Sequence, residues 1–294
     1  MEYEVDIDNV RLDNYLCSTL DKTRSQVTKM IKNGEVLVNG KIVKSGYMVK
    51  LHDKVSVDHE EENMDVLPEK MDLDIVYEDE DVIVVNKANG IVVHPAPGNY
   101  HGTLVNGLLY HSELSGKNGK FRPGIVHRID AYTTGLLMVA KNDKAHEILA
   151  KELEEKKTFR KYVALVWGVI KEDSGEIDAP IGRSENDRKK MAINPKGKNA
   201  VTHFKVLERY KNASLIELKL ETGRTHQIRV HMDYINHPVV NDPVYGKRKL
   251  IDDSGQCLHA KCLGFIHPRT GEYMEFDSEL PLEFLNILKI FKEE

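Results

Sequence analysis

Asp130 stands in the stretch Gly124-Ile-Val-His-Arg-Ile-Asp-Ala-Tyr-Thr-Thr-Gly135, two residues after an arginine and shortly before two threonines. A lone carboxylate can serve as nucleophile, as base or as the counter-charge of a cation, and the first two roles require that it be held still and kept ionised. A second arginine offers the means. The turn Leu220-Glu-Thr-Gly-Arg224 reads as the end of a strand and the start of a helix that carries Arg229, so a guanidinium can reach the carboxylate from a distant part of the chain. Such a partner favours the charged form even in a desolvated pocket. The competing reading of Arg229 is local, because Asp233 follows it at the spacing of a helical ion pair.

Other chemistries find less support. His226, His231, His237 and His259 invite a metal, but His226 and His231 are five residues apart, so they do not stack on one helix face, and neither a cysteine nor a carboxylate completes a ligand spacing. No metal and no cofactor are expected, since P-loop, dinucleotide and nucleophile-elbow motifs are all missing from the sequence. Cys17, Cys257 and Cys262 are odd in number and badly spaced for zinc, and read as buried thiols.

The elements that would position Asp130 follow from the flanking pattern. Ile125-Val126 before the polar knot and Leu136 to Ala140 after it predict strand, loop, strand. Leu73–Tyr77 and Asp81–Lys87 read as strands, Thr103–His111 as a capped helix, and Asp143–Lys156 as an amphipathic helix capped by Asn142. Thr158–Trp167 alternates as a strand, with Tyr162 and Ala164 on one face. A short strand at Ile91–Val93, a basic mobile hairpin or loop at Gly182–Lys198 with Arg183, Arg188, Lys189 and Lys190, a hairpin from Val201 to Leu220, a helix at Thr225–Ile235, late strands at Cys257–His267 and Glu272–Phe276, and a helix at Pro281–Phe291 complete the reading.

The N-terminal segment has a different composition. The net charge of the chain is −5, yet residues 11–54 are rich in lysine and arginine while the acid concentrates in Asp58–Glu62 and Glu78–Asp81. Leu12, Leu16 and Leu20 mark one helix face. Thr23-Arg-Ser-Gln26 is a capping box for a second helix, with Val27, Met30 and Ile31 inside and Gly34 as its stop. Asn39-Gly40 is the pair demanded by a type I′ hairpin turn. Arg24, Lys29 and Lys32 fall on the exposed side of the second helix, a compact basic unit suited to RNA phosphate, against the simpler reading of a solvated helix face. Residues 59–72, acidic and aperiodic, read as a linker. No apolar run approaches the roughly 18 to 20 residues of a membrane span and the N-terminus is acidic, so a cytoplasmic protein is expected.

Two resemblances sharpen this. Thr23-Arg-Ser, Ile31-Lys-Asn-Gly34 and Val36-Leu-Val-Asn-Gly-Lys41 resemble the alpha-L RNA-binding module, with His52-Asp53 where the module has Gly-Asp. His127-Arg-Ile-Asp-Ala-Tyr-Thr-Thr-Gly135 resembles the signature loop of pseudouridine synthases. The likeness continues through Asn86-Lys87, His94-Pro95, Arg160-Lys-Tyr-Val-Ala-Leu-Val-Trp-Gly168 and Thr222-Gly-Arg-Thr-His-Gln-Ile-Arg-Val-His231, and is nearest to the RluA/RluD family, in particular to its RluD-like members with an N-terminal head. Ile129, Thr134 and Ala88 are mild departures; Tyr132 is bulky for its place.

The resemblance implies an isomerase that converts uridine to pseudouridine, in large-subunit ribosomal RNA or in tRNA, with the uridine flipped from its stack. It implies Asp130, Tyr162 and Arg229 as catalytic residues and Arg128, His127, Thr133, Arg224, His226 and Gln227 as substrate-binding ones. It also implies an α+β pseudouridine synthase fold, with a largely antiparallel mixed sheet and a central cleft. The expected organisation is an RNA-binding domain at 1–58, the linker, and a catalytic domain at 73–294, acting as a monomer with no membrane contact. Two rivals stay open at this level, a non-catalytic ribosome-assembly protein and a nucleoside hydrolase. The latter would call for a second acid across the scissile bond, and the quoted motifs supply none.

Overall fold

A computed structural model describes residues 1–20, 24–58, 66–96, 99–119, 122–185, 187 and 190–293. Thr23 of the expected capping box, linker residues 59–65, and Arg188 and Lys189 of the expected basic loop lie outside the described residues. The chain divides into two compact units, Met1–Met64 and Asp65–Glu294.

The first unit contains strands β1 (Glu2–Glu4) and β2 (Val10–Arg11), helices α1 (Leu12–Leu20) and α2 (Arg24–Lys32), and strands β3 (Val36–Val38), β4 (Lys41–Ile42), β5 (Met48–Val49) and β6 (Lys54–Val57). The sheet order is β1-β6-β3-β4. Asn39 and Gly40 take φ of +51° and +76°, the left-handed pair a type I′ turn requires. Leu12, Leu16, Val27, Met30 and Ile31 meet Val36, Val38, Val49, Val55 and Val57 in one core. Asp13 is buried at the start of α1, with Arg11 at 2.9 Å and Arg24 at 3.0 Å, and the Arg11 hydrogen bonds lead in holding its pKa down at about 2. Arg24, expected to face RNA, is therefore also a clamp between the two helices. Lys29 and Lys32 are exposed.

The second unit is built on a sheet of order β11-β14-β15-β10-β16-β9-β8-β7, with β17 also paired to β16. In chain order its elements are β7 (Ile75–Glu78), β8 (Val82–Lys87), α3 (Leu104–His111), β9 (Thr134–Ala140), α4 (Asp143–Glu154), β10 (Phe159–Trp167), β11 (Ser174–Asp178), β12 (Ile181–Arg183), β13 (Met191–Ile193), β14 (Val201–Arg209), β15 (Ala213–Leu220), α5 (Gln227–Tyr234), β16 (Leu258–Ile266), β17 (Tyr273–Asp277) and α6 (Leu282–Lys292). Within this sheet β9 and β16 pair in parallel and the other pairs are antiparallel. The architecture is thus α+β with a mostly antiparallel mixed sheet.

Alternate residues explain the layers. Ile83, Val85, Leu137, Val139, Ala164 and Val166 join Leu104 and Leu108 of α3 and Ile228 and Met232 of α5 on one face. Val82, Val84, Leu136 and Met138 join Ala145 and Leu149 of α4, and Val163 and Leu165 join Phe284 and Ile287 of α6, on the other. Strands covered on both faces read as unbroken apolar runs, as β8 and β9 do.

Several expectations change. Ile125-Val126 forms no strand: β8 occupies one edge of β9 and β16 the start of the other, so Ile125 gains only a single bridge to Val139. Ile91–Val93 is likewise irregular, and β11 has no counterpart in the sequence reading. Of the two forms expected for 182–198, hairpin or loop, the structure has the hairpin, β12–β13. Residues 66–72, expected to be linker, pack on the second unit: Asn106 Nδ2 donates to Leu67 O at 2.8 Å, the Gly102 amide donates to Glu69 at 2.9 Å, and Met71 lies against Gly107.

Candidate active site

The loop from His127 to Thr133 leaves the sheet where β16 divides its partners, β9 beside His259–Ala260 and β17 beside Cys262–Ile266. Gly135 fixes the loop's end. Its φ is +107°, and a Cβ there would come within 2.3 Å of Ala260 O, so only glycine allows the two parallel strands to meet. The Thr133 amide donates to Asp130 O at 3.1 Å, closing a turn with Asp130 at its head, and Gln256 Nε2 donates to the buried Thr133 hydroxyl at 3.1 Å.

Lys87, at the end of β8, braces the same turn from below. Its Nζ donates to Ala88 O at 2.8 Å and to Ala131 O at 2.7 Å, in a site where the whole side chain is buried. Burial pushes its pKa down to about 7, against the pull of nearby Asp130.

Arg229 reaches Asp130 from α5, with Nη1 2.8 Å from Oδ2. The helical alternative is not what the fold uses, since Asp233 pairs instead with Lys247 at 2.5 Å. The other edge of the guanidinium is held by Asp242, Nε to Oδ2 at 2.7 Å and Nη2 to Oδ1 at 2.9 Å. Burial works against the Arg229 charge, but Asp242 and Asp130 outweigh it and raise its pKa. Asp242 is desolvated too, yet Arg229 and the amides of Tyr245 and Val244 keep its pKa below the usual value. Asp130 itself is partly open to the cavity, its side chain 19% exposed.

A cavity of about 470 Å³ opens beside this pair, within the range of small-ligand sites. Asp130, Arg128, His127, Thr133, Arg160, Tyr162, Gly223, Arg224, His226, Gln227 and Arg229 line it. All nine site residues expected outside the first unit are thus brought together. Tyr162 arrives from β10 at an irregularity: against β16 the register slips between Lys161 and Val163, while the pairing with β15 stays regular. Bulges of this kind re-aim a side chain beside a site. Burial raises the Tyr162 pKa, so its hydroxyl stays protonated at neutral pH.

The remaining expected residues divide by what they touch. Gln227 is structural as well as lining: its Oε1 accepts from the Arg224 amide and the Thr222 hydroxyl, and its Nε2 donates to Val201 O and Thr202 Oγ1. His226 takes a left-handed φ of +56° at the start of α5, with Nε2 3.8 Å from Asp130 Oδ1 and Nδ1 2.9 Å from the Tyr245 hydroxyl. Burial lowers its pKa despite Asp130. His127 Nε2 accepts the Met138 amide at 3.1 Å, and burial, then Arg160, push its pKa down to about 3, so the ring is neutral. Arg128 is exposed, with Nη1 3.0 Å from His94 Nε2.

The other histidines go to separate places. His231 bonds to Thr202 and Ala179 O, His237 to Trp167 O, and His259 to Thr134 and Ser278. Tyr132 finds its room at Gly255, where a Cβ would lie 2.5 Å from the tyrosine Cβ; the glycine opposite accommodates the bulk. Sequence reasoning assigned no role to Asp242, Lys87, Arg160 or Tyr245. Lys87 carries one usable signal, a lysine closing an apolar strand, whereas Asp242 sits in a loop like many others.

The fold belongs to one class. The sequence profile of the RNA pseudouridylate synthase family matches residues 81–234, and that of the S4 domain matches residues 10–55; the chain belongs to the pseudouridine synthase family and is an isomerase with an N-terminal S4 domain. It is 58% identical over 282 residues to the uncharacterized RNA pseudouridine synthase YlyB of Bacillus subtilis (strain 168), covering 95% of this chain and 93% of the relative. It is 45% identical to ribosomal large subunit pseudouridine synthase D of Zymomonas mobilis subsp. mobilis, again covering 95% and 93%. Among solved structures, Human RNA Pseudouridylate Synthase Domain Containing 1 matches with a TM-score of 0.59 at 26% identity, over 80% of this chain and 98% of the human one.

Proposed function

We propose that this isomerase converts uridine to pseudouridine in large-subunit ribosomal RNA, with Asp130 as its catalytic carboxylate. The observation that carries the reading is the 2.8 Å contact between Arg229 and Asp130 at the mouth of a cavity that Tyr162 also lines. An ionised carboxylate, fixed by a guanidinium that is itself fixed, is what attack on the sugar or removal of its proton requires. The choice of RNA follows the relatives named for the large ribosomal subunit.

A uridine inside folded RNA must leave its stack before its glycosidic bond can be reached, at a cost of a few kcal/mol. Tyr162 takes the extruded uracil against its ring, contributing on the order of 1 to 3 kcal/mol. Exposed Arg128 fills the gap left in the stack. The S4 domain, with Lys29 and Lys32 outward, supplies sequence-independent affinity for phosphate. The enzyme works as a monomer in the cytoplasm, and no helix among the described residues is long and apolar enough to cross a membrane.

Pseudouridine-selective probing of total RNA from a strain lacking this gene tests the substrate. One or more pseudouridines should vanish from the large-subunit RNA and return when the gene is restored. Loss from tRNA instead would reassign the substrate, and loss from neither would remove the ribosomal reading.

A further inference from the structure

Arg160 is a cation on the cavity wall with no carboxylate paired to it among the described residues. It lies two residues before Tyr162 on β10 and is only 7% exposed. Buried charges are ordinarily paired, and the other arginines of the cavity are occupied: Arg229 by two carboxylates, Arg224 by Asn199 O at 2.9 Å, Arg128 by His94. Among the described residues Arg160 has no ion-pair partner, and its buried Nε has no hydrogen-bond acceptor.

The place is made for it. A Cβ at Gly223 would fall 2.8 Å from Arg160 Nη1, so the turn after β15 carries no side chain where the guanidinium sits. Arg160, Tyr162, Gly223 and Asp130 border one cavity. A dry guanidinium with a free donor on such a wall is built for a ligand that brings negative charge of its own.

We propose that Arg160 is the residue that receives the charge of the departing uracil. This rests on the reading that places the uridine in the cavity with its sugar at Asp130. When the C1′–N1 bond breaks, its electron pair goes to N1 and spreads to O2 and O4. This holds whether the Asp130 carboxylate bonds to C1′ or takes a proton from C2′. The uracil then turns, C5 bonds to C1′ as the carboxylate leaves or returns its proton, C5 loses a proton, and N1 gains one. Atoms and electrons balance without a further reactant, and the interval of highest charge on the ring is the one Arg160 covers. A donor that finds its acceptor only as charge develops lowers the barrier without tightening ground-state binding.

The test compares wild type with R160K and R160M in single turnovers on in vitro transcripts of large-subunit ribosomal RNA made with uridine or with 5-fluorouridine. Conversion is read as loss of the starting nucleoside in chromatography of nuclease digests, since the fluorinated transcript gives a C5-linked isomer that keeps its fluorine and cannot lose a C5 proton to become pseudouridine. Fluorine at C5 makes uracil a better leaving group and takes over part of the charge. R160M should lose on the order of 10²- to 10³-fold on the uridine transcript, at least tenfold less on the fluorinated one, with RNA affinity within about threefold of wild type and R160K in between. Equal losses on both transcripts, an unchanged rate, or a loss of affinity that matches the loss of rate would overturn the role. If R160M does not fold, R160K and R160Q carry the same comparison. A wild type that converts neither transcript would strike the functional reading itself.

Discussion

Asp242 grips Arg229 along the edge that Asp130 does not use, through bonds of 2.7 and 2.9 Å, and leaves Nη1 alone to meet Asp130. The orientation of the guanidinium is therefore set before substrate or solvent acts on it. Asp242 is placed in turn by the amides of Val244 and Tyr245, at 2.8 and 3.0 Å, and Arg229 lies over the Tyr245 ring at 5.1 Å.

Asp242→Asn keeps the size and the amide acceptor but removes the charge. Breaking a buried pair costs about 3 kcal/mol or more, and a misplaced Arg229 should lower turnover by roughly 100-fold. The pH dependence follows from the depressed pKa of Asp242. Its stabilisation is complete above the unfolded-state value of about 4 and is lost as pH falls through the lower folded value. Denaturant unfolding should show wild type losing stability below about pH 4 and the variant losing less over the same interval.

Lys87 predicts the opposite limb. Its folded pKa of about 7 lies below the unfolded value of about 10.4, so the unfolded chain binds the extra proton between them. Wild-type stability should gain from this group as pH rises from 7 to 10, and Lys87→Met should lack that gain. Ala131 O, next to Asp130, would lose its donor in the variant, and a fall in turnover of about tenfold or more is expected from the loosened turn. Matching stability curves for the two proteins would refute the assignment.

The sequence made the core of the proposed site legible because the residues proposed for it are carried by short ordered motifs. Asp130 in its loop, Tyr162 on an alternating strand and Arg229 on a helix all lie in the one cavity, and the choice between Arg229–Asp130 and Arg229–Asp233 needed only the fold. What stayed hidden depends on long-range packing. Asp242 carries no local pattern, the bulge at Tyr162 is set by β16, and the failure of Ile125-Val126 to form a strand follows from the occupied edges of β9. Gly255 explains Tyr132 only once the two are seen in contact.

Tyr162→Phe separates stacking from proton transfer. The ring remains, so RNA affinity should stay within about twofold, whereas Tyr162→Ala should weaken it by the stacking energy of about 1 to 3 kcal/mol. If the hydroxyl assists removal of the C5 proton, the phenylalanine variant should show a larger isotope effect with 5-deuterouridine than wild type. An unchanged isotope effect would confine Tyr162 to stacking.

In the first unit, Lys29 and Lys32 are free to act on RNA while Arg24 also clamps Asp13. Changing both lysines to alanine should weaken binding to unrelated RNAs alike and reduce the slope of log K against log salt by about 1 to 2. Binding to RNA at several salt concentrations, with the turnover of saturated enzyme measured alongside, decides this. A lost turnover with unchanged salt slope would mean that the helix face contacts no phosphate.

The role of Asp130 is tested most directly by Asp130→Asn, in a single-turnover assay of pseudouridine formation on large-subunit ribosomal RNA with saturating enzyme. The account predicts no detectable pseudouridine, with RNA affinity and thermal unfolding close to wild type. Pseudouridine formed at the wild-type rate by the folded variant would contradict it.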